Sequence, residues 1–144
     1  MSAAELASAL GLVPLPEEGG LFRRMLFDAH TSAIYYLLAD GDFSALHRLA
    51  STEIYHYYDG APLRLLLLHP DGGVEQPVLG RDVAAGQRPQ VIVPAGSWQG
   101  SSSAGEWTLV GTTMSPRFEW EEFELGARAE LVAQYPAAAE RIVE

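Results

Sequence analysis

An imidazole and a carboxylate six residues apart are the side chains best suited to chemistry in this sequence. They are His47 and Glu53, and the segment that holds them is enclosed by Gly41 and Gly60. An imidazole titrates near neutral pH and can act as a general base, while a neighbouring carboxylate can orient it or raise its pKa. Because side chains alternate between the two faces of a strand, two successive short strands can direct both groups into one cavity. We therefore interpret segment 41–60 as one wall of a binding pocket.

Aromatic and amide side chains accompany this pair. Tyr55 and Tyr57 follow Glu53 at alternating positions, so a strand would place all three on one face. An indole next to an amide, further along the chain, suits stacking and hydrogen bonding to a small polar or cyclic ligand. The candidate ligand-binding residues are His47, Glu53, Tyr55, Tyr57, Trp98 and Gln99. The candidate catalytic residues are His47 as base, Glu53 as its partner and Tyr55 as acid.

Two consecutive arginines offer a charge for this pocket. Arg23 and Arg24 lie in a strand-like segment, 21–27, and would point to opposite faces of it. One of them can pair with an anionic group at the mouth of the pocket. A surface ion pair in an acidic protein is the simpler interpretation.

The elements that must position these residues are short strands separated by Gly and Pro turns. A capping box at Ser2 and Glu5 predicts a helix that ends before Gly11, and segment 127–134 predicts a second helix. The predicted strands are 21–27, 31–38, 43–50, 53–58, 63–69, 74–79, 90–93 and 106–114. Many short strands in this arrangement are typical of a β-sandwich or barrel.

The remaining segments are less regular. Residues 100–105 are predicted to be a polar loop, and 118–125 a half-exposed strand with a bulge near Glu121, its aromatic side chains inward and its acidic ones outward. The tail after Pro136 is expected to fray. His30 and His69 stand beside turns and are expected on the surface.

Composition limits the classes of partner. The chain has 144 residues and a formal charge of −10, which argues against nucleic acid polymers and anionic membrane surfaces. With no cysteine, it can form neither disulfides nor cysteine-bound zinc sites. No signal peptide and no membrane-spanning run is evident, so we expect a cytoplasmic protein.

The pocket segment also resembles a known motif. Its pattern, Gly-x5-His-x-Leu-x3-Glu-x6-Gly, is similar to the first signature motif of the cupin superfamily, and Pro94-x-Gly96-x2-Gln99 is similar to the second. The resemblance covers about residues 12–136 and is to a small single-domain cupin subfamily of unknown function. It implies an all-β fold, a double-stranded jelly-roll barrel with short N- and C-terminal helices, in one domain over 1–144. It also implies a homodimer, with 21–27 as the strand exchanged between subunits.

The motif differs from that of metal-binding cupins at two of four positions. The resemblance implies two histidines, a glutamate and a third histidine as ligands, but Leu49 and Gln99 replace two of the histidines. Two ligands and an amide make a weak site, so no metal or other cofactor is favoured. If a divalent metal binds, His47, Glu53 and Gln99 are the candidate ligands.

Three functions remain open. The preferred hypothesis is binding of a small polar molecule in the barrel, such as a carbohydrate or a nucleotide sugar. The resemblance also implies, as an alternative, a metal-independent epimerase or isomerase in which His47 is the base and Tyr55 or Tyr57 the acid. A metal-dependent cupin enzyme is the second alternative.

Overall fold

Two antiparallel sheets face each other in the computed structural model, which describes residues 1–142. The strands are β1 (Val13–Pro14), β2 (Leu21–Phe27), β3 (Ser32–Ala39), β4 (Phe43–Arg48), β5 (Glu53–Gly60), β6 (Leu63–Leu68), β7 (Val74–Glu75), β8 (Val78–Leu79), β9 (Gln90–Val93), β10 (Trp98–Ser103), β11 (Trp107–Met114) and β12 (Glu124–Leu125). The helices are α1 (Ala3–Leu10) and α2 (Arg128–Gln134). The first sheet has the order β1-β2-β3-β11-β5-β9. The second has the order β12-β4-β10-β6-β7, with β8 also paired to β6.

The interior between the sheets is filled by alternate side chains of the central strands. Tyr36 of β3, Tyr55 of β5 and Val110 of β11 point inward from the first sheet, and leucines of β6 meet them from the second. Strand β6 buries leucines on both faces, as expected for a continuous apolar run, since Leu66 and Leu68 point away from this interior. They pack under α2 and the segment after it.

Local signals place the first helix where the sequence predicts it. Ser2 accepts a hydrogen bond from the backbone N–H of Glu5 at 3.1 Å, and the Glu5 carboxylate accepts one from the Ser2 N–H at 3.2 Å. The helix ends at Leu10, immediately before Gly11. No helix within residues 1–142 has the length and apolarity that crossing a bilayer requires.

Three sequence predictions were wrong. Residues Trp98–Ser103 form strand β10 rather than a polar loop from 100 onward, because this strand lies between β4 and β6 and both neighbours bond its backbone. Segment 118–125 contains a 3-10 turn, Trp120–Glu122, and only the two-residue strand β12. The segment after Pro136 is packed rather than frayed through residue 142, since Ala138 and Ile142 are buried in one cluster with Trp98.

The strand predicted over 74–79 is split into two short pieces. β7 and β8 both pair with β6, and Gln76 and Pro77 separate them. Proline has no N–H to donate to a ladder, which accounts for the break. His69 also differs from the expectation of a surface residue, because its ring bonds Ser97 at 2.7 Å and Glu75 at 2.6 Å and its side chain is only 17% exposed.

Candidate functional site

A cavity of about 70 Å³ lies at one end of the barrel. Its polar wall is formed by Glu18, Arg24, Ser32, Tyr36, Glu53 and Thr112. Its apolar wall is formed by Leu15, Phe22, Ile34, Leu49, Met114, Phe118 and Trp120. A small number of polar groups in a mostly apolar concave wall is the usual composition of a small-molecule site.

Glu53 is the buried carboxyl group of this cavity. It is the first residue of β5, pairs with Met114 of β11, and its inward direction follows from the same alternation that buries Tyr55. Burial, together with the neighbouring Glu18 carboxylate, raises its pKa from 4.5 to about 7, while His47 and the polar side chains of Thr112 and Gln99 act in the opposite direction. At neutral pH the Glu53 carboxyl group is therefore partly protonated, so it can either donate or accept a hydrogen bond.

His47 lies behind the cavity wall rather than in it. The residue belongs to β4 of the second sheet and pairs with Gln99, so it faces Glu53 from the opposite sheet and not from a neighbouring strand. Its ring is 1% exposed and stacks on Phe123 with a centroid separation of 5.1 Å. Its Nδ1 lies 2.7 Å from the carbonyl oxygen of Ala45, and because a carbonyl only accepts, Nδ1 carries a proton.

The other ring nitrogen of His47 meets a carboxylate. Nε2 lies 3.4 Å from Oε1 of Glu18 and has no hydrogen-bond partner among residues 1–142. With a proton already on Nδ1, a neutral ring presents a lone pair to a carboxylate oxygen. The Glu18 carboxylate therefore lies between the cavity, which it lines, and the buried ring of His47.

Glu18 is a residue of the candidate site that sequence reasoning missed. The Pro and Gly residues of segment 14–20 predict only a linker and a turn. Instead, the Glu18 side chain is 12% exposed, and its Oε2 accepts a hydrogen bond from Ser44 Oγ at 3.0 Å. The available signal was the pair of glycines that follows, because such a turn can fold a preceding side chain back onto the barrel.

Tyr55 and Gln99 are brought together, but their polar groups bond each other. The Tyr55 hydroxyl donates to Oε1 of Gln99 at 2.8 Å, and neither residue lines the cavity. Burial and the nearby Glu53 carboxylate raise the pKa of Tyr55 well above 10. Such a phenol is held as a hydrogen-bond donor rather than a proton source at neutral pH. The structure therefore places the expected acid of the epimerase hypothesis behind the wall.

Tyr57 and Trp98 do not join the cluster. Tyr57 shares the inner face of β5, but its hydroxyl donates to the Gly60 carbonyl at 2.6 Å, at the far end of the strand. Trp98 points out of the barrel, because it alternates with the inward-facing Gln99, and it packs with α2. The guanidinium of Arg48 lies 4.5 Å from its ring centroid. Trp98 therefore does not line the cavity, where it was expected to stack on a ligand.

Two other aromatic residues line the cavity instead. Phe118 and Trp120 pack edge to face, with centroids 4.8 Å apart, and both contribute to the wall. They reach the cavity because the chain turns at Trp120–Glu122 rather than continuing as a strand. Trp120 is 43% exposed, so this aromatic pair borders solvent.

The residues do not fit a metal centre of the kind that metal-binding cupins have. Leu49 places hydrocarbon in the cavity wall where the motif would place a second imidazole, and Oε1 of Gln99 is already an acceptor for Tyr55. Within residues 1–142, no three histidine or acidic side chains are grouped as metal ligands. A divalent metal needs three or four such ligands, so this donor set is too small.

Comparison with known proteins identifies structural relatives. A family model described as Cupin superfamily (DUF985) matches residues 4–126. A solved structure from Shewanella oneidensis is 33% identical and has a TM-score of 0.90, with 100% of this chain and 98% of that protein aligned. A hypothetical protein from Leishmania major is 29% identical with a TM-score of 0.90, over 99% of this chain and 97% of that protein.

More distant relatives share the fold alone. A cupin 2 conserved barrel domain protein from Rhodopseudomonas palustris is 14% identical with a TM-score of 0.66, over 91% of this chain and 88% of that protein. No curated protein matches the chain significantly. The predicted jelly-roll barrel with short terminal helices is confirmed by these relatives and by the two-sheet topology.

Proposed function

The chain belongs to the DUF985 family of the cupin superfamily, and from this premise we propose that it binds a small polar molecule in the cavity at the end of its barrel. The observation that carries the proposal is the set of ionisable groups around this cavity. Glu53 is buried in its wall with a pKa of about 7, and Glu18 reaches the same wall beside His47. Burying such groups costs stability unless each finds a partner. A ligand with hydroxyl groups would add hydrogen-bond donors to those that Glu18 already has from Ser44 and Glu53 from its polar neighbours.

The size of the cavity limits how much of a ligand it can enclose. One water molecule needs roughly 10–15 Å³ when a cavity is measured with a water-sized sphere, so about 70 Å³ has room for several waters or for part of a sugar-sized ligand. A free sugar or polyol could insert one end and leave the rest at the mouth. For a nucleotide sugar, the nucleotide would remain outside. Exposed Trp120, packed on half-buried Phe118, is suited to stacking against the part of the ligand at the mouth.

Glu53 and Glu18 have different roles in this proposal. At neutral pH, Glu53 can donate its proton to a ligand oxygen or accept a hydrogen bond from a ligand hydroxyl. Glu18 accepts hydrogen bonds, and its Oε1 lies 3.4 Å from Nε2 of His47. Gln99 and Tyr55 support the cluster from behind through their mutual hydrogen bond. The ligand-binding residues are therefore proposed to be Glu53 and Glu18, with His47, Gln99 and Tyr55 positioning them.

A ligand screen with a matched variant tests the proposal. Neutral sugars and polyols are screened by thermal shift against the wild type, Glu53→Gln and His56→Gln. His56 is on the same strand but on its outer face, where its ring bonds Thr113 at 2.9 Å. We expect compounds that stabilise the wild type and His56→Gln but stabilise Glu53→Gln much less. Compounds that stabilise all three proteins equally would place the binding site elsewhere.

A further inference from the structure

One arginine of the cavity wall forms no hydrogen bond or ion pair with the described part of the chain. Arg24 belongs to β2 and pairs with Ile34 of β3. It lines the cavity and is exposed to solvent. Among residues 1–142 its guanidinium makes no hydrogen bond and no ion pair, and it rests on the ring of Phe27, 4.0 Å from the centroid. Its side chain is therefore supported by an aromatic face while its N–H donors stay available.

Within residues 1–142, the surface ion pair expected for this arginine is not formed. The chain has 19 acidic residues for 9 basic ones, so carboxylate partners are abundant. Arg48 pairs with Glu124 at 2.7 Å, and Arg117, which also contacts Phe27, pairs with Glu119 at 2.8 Å. Arg23 donates to the Leu10 carbonyl at 3.1 Å on the other face of β2. Arg24 is thus a cation at the cavity that pairs with no carboxylate within residues 1–142, unlike Arg48 and Arg117.

The two ends of the cavity have opposite character. Glu53 is 7% exposed and Glu18 is 12% exposed, so the carboxyl groups form its inner end, whereas exposed Arg24 marks the mouth. The carboxylates repel an anion and accept hydrogen bonds from hydroxyls. A planar guanidinium binds carboxylate or phosphate oxygens through two parallel hydrogen bonds.

From this polarity we infer that the ligand is a small polyhydroxylated molecule with one anionic group, a carboxylate or a phosphate. Its hydroxyl end lies inside against Glu53 and Glu18, and its anionic end binds Arg24 at the mouth. This inference rests on the proposed binding function and specifies the class of ligand. It also orients the ligand, since the reverse orientation would place an anion against two carboxyl groups.

Four compounds, sorbitol and three derivatives that each change one of its two terminal groups, test the inference. They are sorbitol, gluconate, sorbitol 6-phosphate and 1-amino-1-deoxysorbitol, titrated at low salt and followed by protein-observed NMR. We expect gluconate or sorbitol 6-phosphate to bind about tenfold more tightly than sorbitol, and the amine to bind more weakly than the anions. The carboxylate and phosphate arms show which anion is preferred. Arg24→Gln should reduce the anion's affinity to that of sorbitol.

Two variants separate failure of this inference from failure of the proposed function. Arg64→Gln removes the same charge from an exposed strand arginine outside the cavity, so it should leave the tenfold preference intact. Glu53→Gln should weaken binding of all the compounds. Equal binding of the four compounds that is still lost in Glu53→Gln would overturn the anionic ligand but keep the binding cavity. Equal loss in Arg64→Gln and Arg24→Gln, tighter binding of the amine, or no binding by any of the four would also overturn the inference.

Discussion

A carboxyl group with a pKa near 7, such as Glu53, changes charge in the range where most proteins are studied. In the unfolded chain it would ionise near its ordinary value of 4.5. Between these two values the folded protein holds a proton that the unfolded chain has released. Unfolding in this window therefore releases a proton, so raising the pH favours the unfolded state.

The raised pKa of Glu53 should make the stability of the protein depend on pH. Between about pH 5 and pH 8 the free energy of unfolding of the wild type should fall, and the contribution of Glu53 to the fall should be on the order of 2–3 kcal/mol. Glu53→Gln keeps the shape of the side chain and cannot ionise, so its stability should change less over the same range. Urea denaturation at a series of pH values measures both. Parallel pH profiles for the two proteins would contradict the raised pKa.

The neighbours of Glu53 should shift its pKa in opposite directions. The Glu18 carboxylate raises the pKa of Glu53, and His47 lowers it. Glu18→Gln should therefore move the titration of the Glu53 carboxyl carbon, followed by carbon-13 NMR, to lower pH. His47→Gln should move it to higher pH. Shifts of the same sign in the two variants would mean that these residues do not share one electrostatic cluster with Glu53.

At the scale of elements, the loop between β1 and β2 determines whether Glu18 reaches the cavity. Gly19 has a φ of 100°, which side chains rarely tolerate, and an added Cβ would lie 2.5 Å from the Phe43 carbonyl oxygen. The Tyr36 hydroxyl donates to the Gly19 carbonyl at 2.6 Å and holds the loop against the barrel. The loop therefore has little freedom to move without withdrawing Glu18.

Replacing this glycine tests the role of the loop. Gly19→Ala should destabilise the protein by more than about 2 kcal/mol and weaken ligand binding, because it strains the backbone and displaces the loop. Gly72→Ala is the matched control: its φ is 94° but nothing lies within 4 Å of an added Cβ. It should cost about 1 kcal/mol and leave binding unchanged. Urea denaturation and ligand titration compare them, and similar effects on binding would argue against the loop's role.

The sequence predicts the strands better than the site, for physical reasons. Alternation and turn residues mark β2, β5 and β9, because each element is specified by its own residues. Ser101 lies in a strand only because β4 and β6 enclose it, a tertiary effect that its polar neighbours do not signal. Of the proposed ligand contacts, Glu53 was predicted from motif spacing. Glu18 was not, because its place depends on a folded loop.

In the molecule as a whole, apolar side chains pack against both faces of the second sheet. One apolar cluster fills the interior, and another lies outside, where Leu131, Tyr135 and Ile142 cover Leu66 and Leu68. The Tyr135 hydroxyl donates to the His69 carbonyl at 2.7 Å and ties the C-terminal segment to the barrel. The cavity belongs to the inner side only, so stability and binding should be separable.

The outer cluster gives a prediction about stability alone. Ile142→Ala should lower the free energy of unfolding by about 2–4 kcal/mol, because it leaves a void under a fully buried side chain. The half-buried Val132→Ala should cost about 1 kcal/mol. Neither change should alter ligand affinity, which is measured under native conditions by titration. A loss of affinity in Ile142→Ala would indicate that the C-terminal segment shapes the site.

Methyl-detected NMR of the wild type can show whether a ligand enters the cavity beside Glu53. Met114 and Ile34 line this cavity, whereas Leu131 and Ala138 lie in the outer cluster. Titration with gluconate should shift the methyl signals of Met114 and Ile34 in a saturable manner and leave those of Leu131 and Ala138 unchanged. Saturable shifts confined to the outer cluster, or none at either place, would contradict the account.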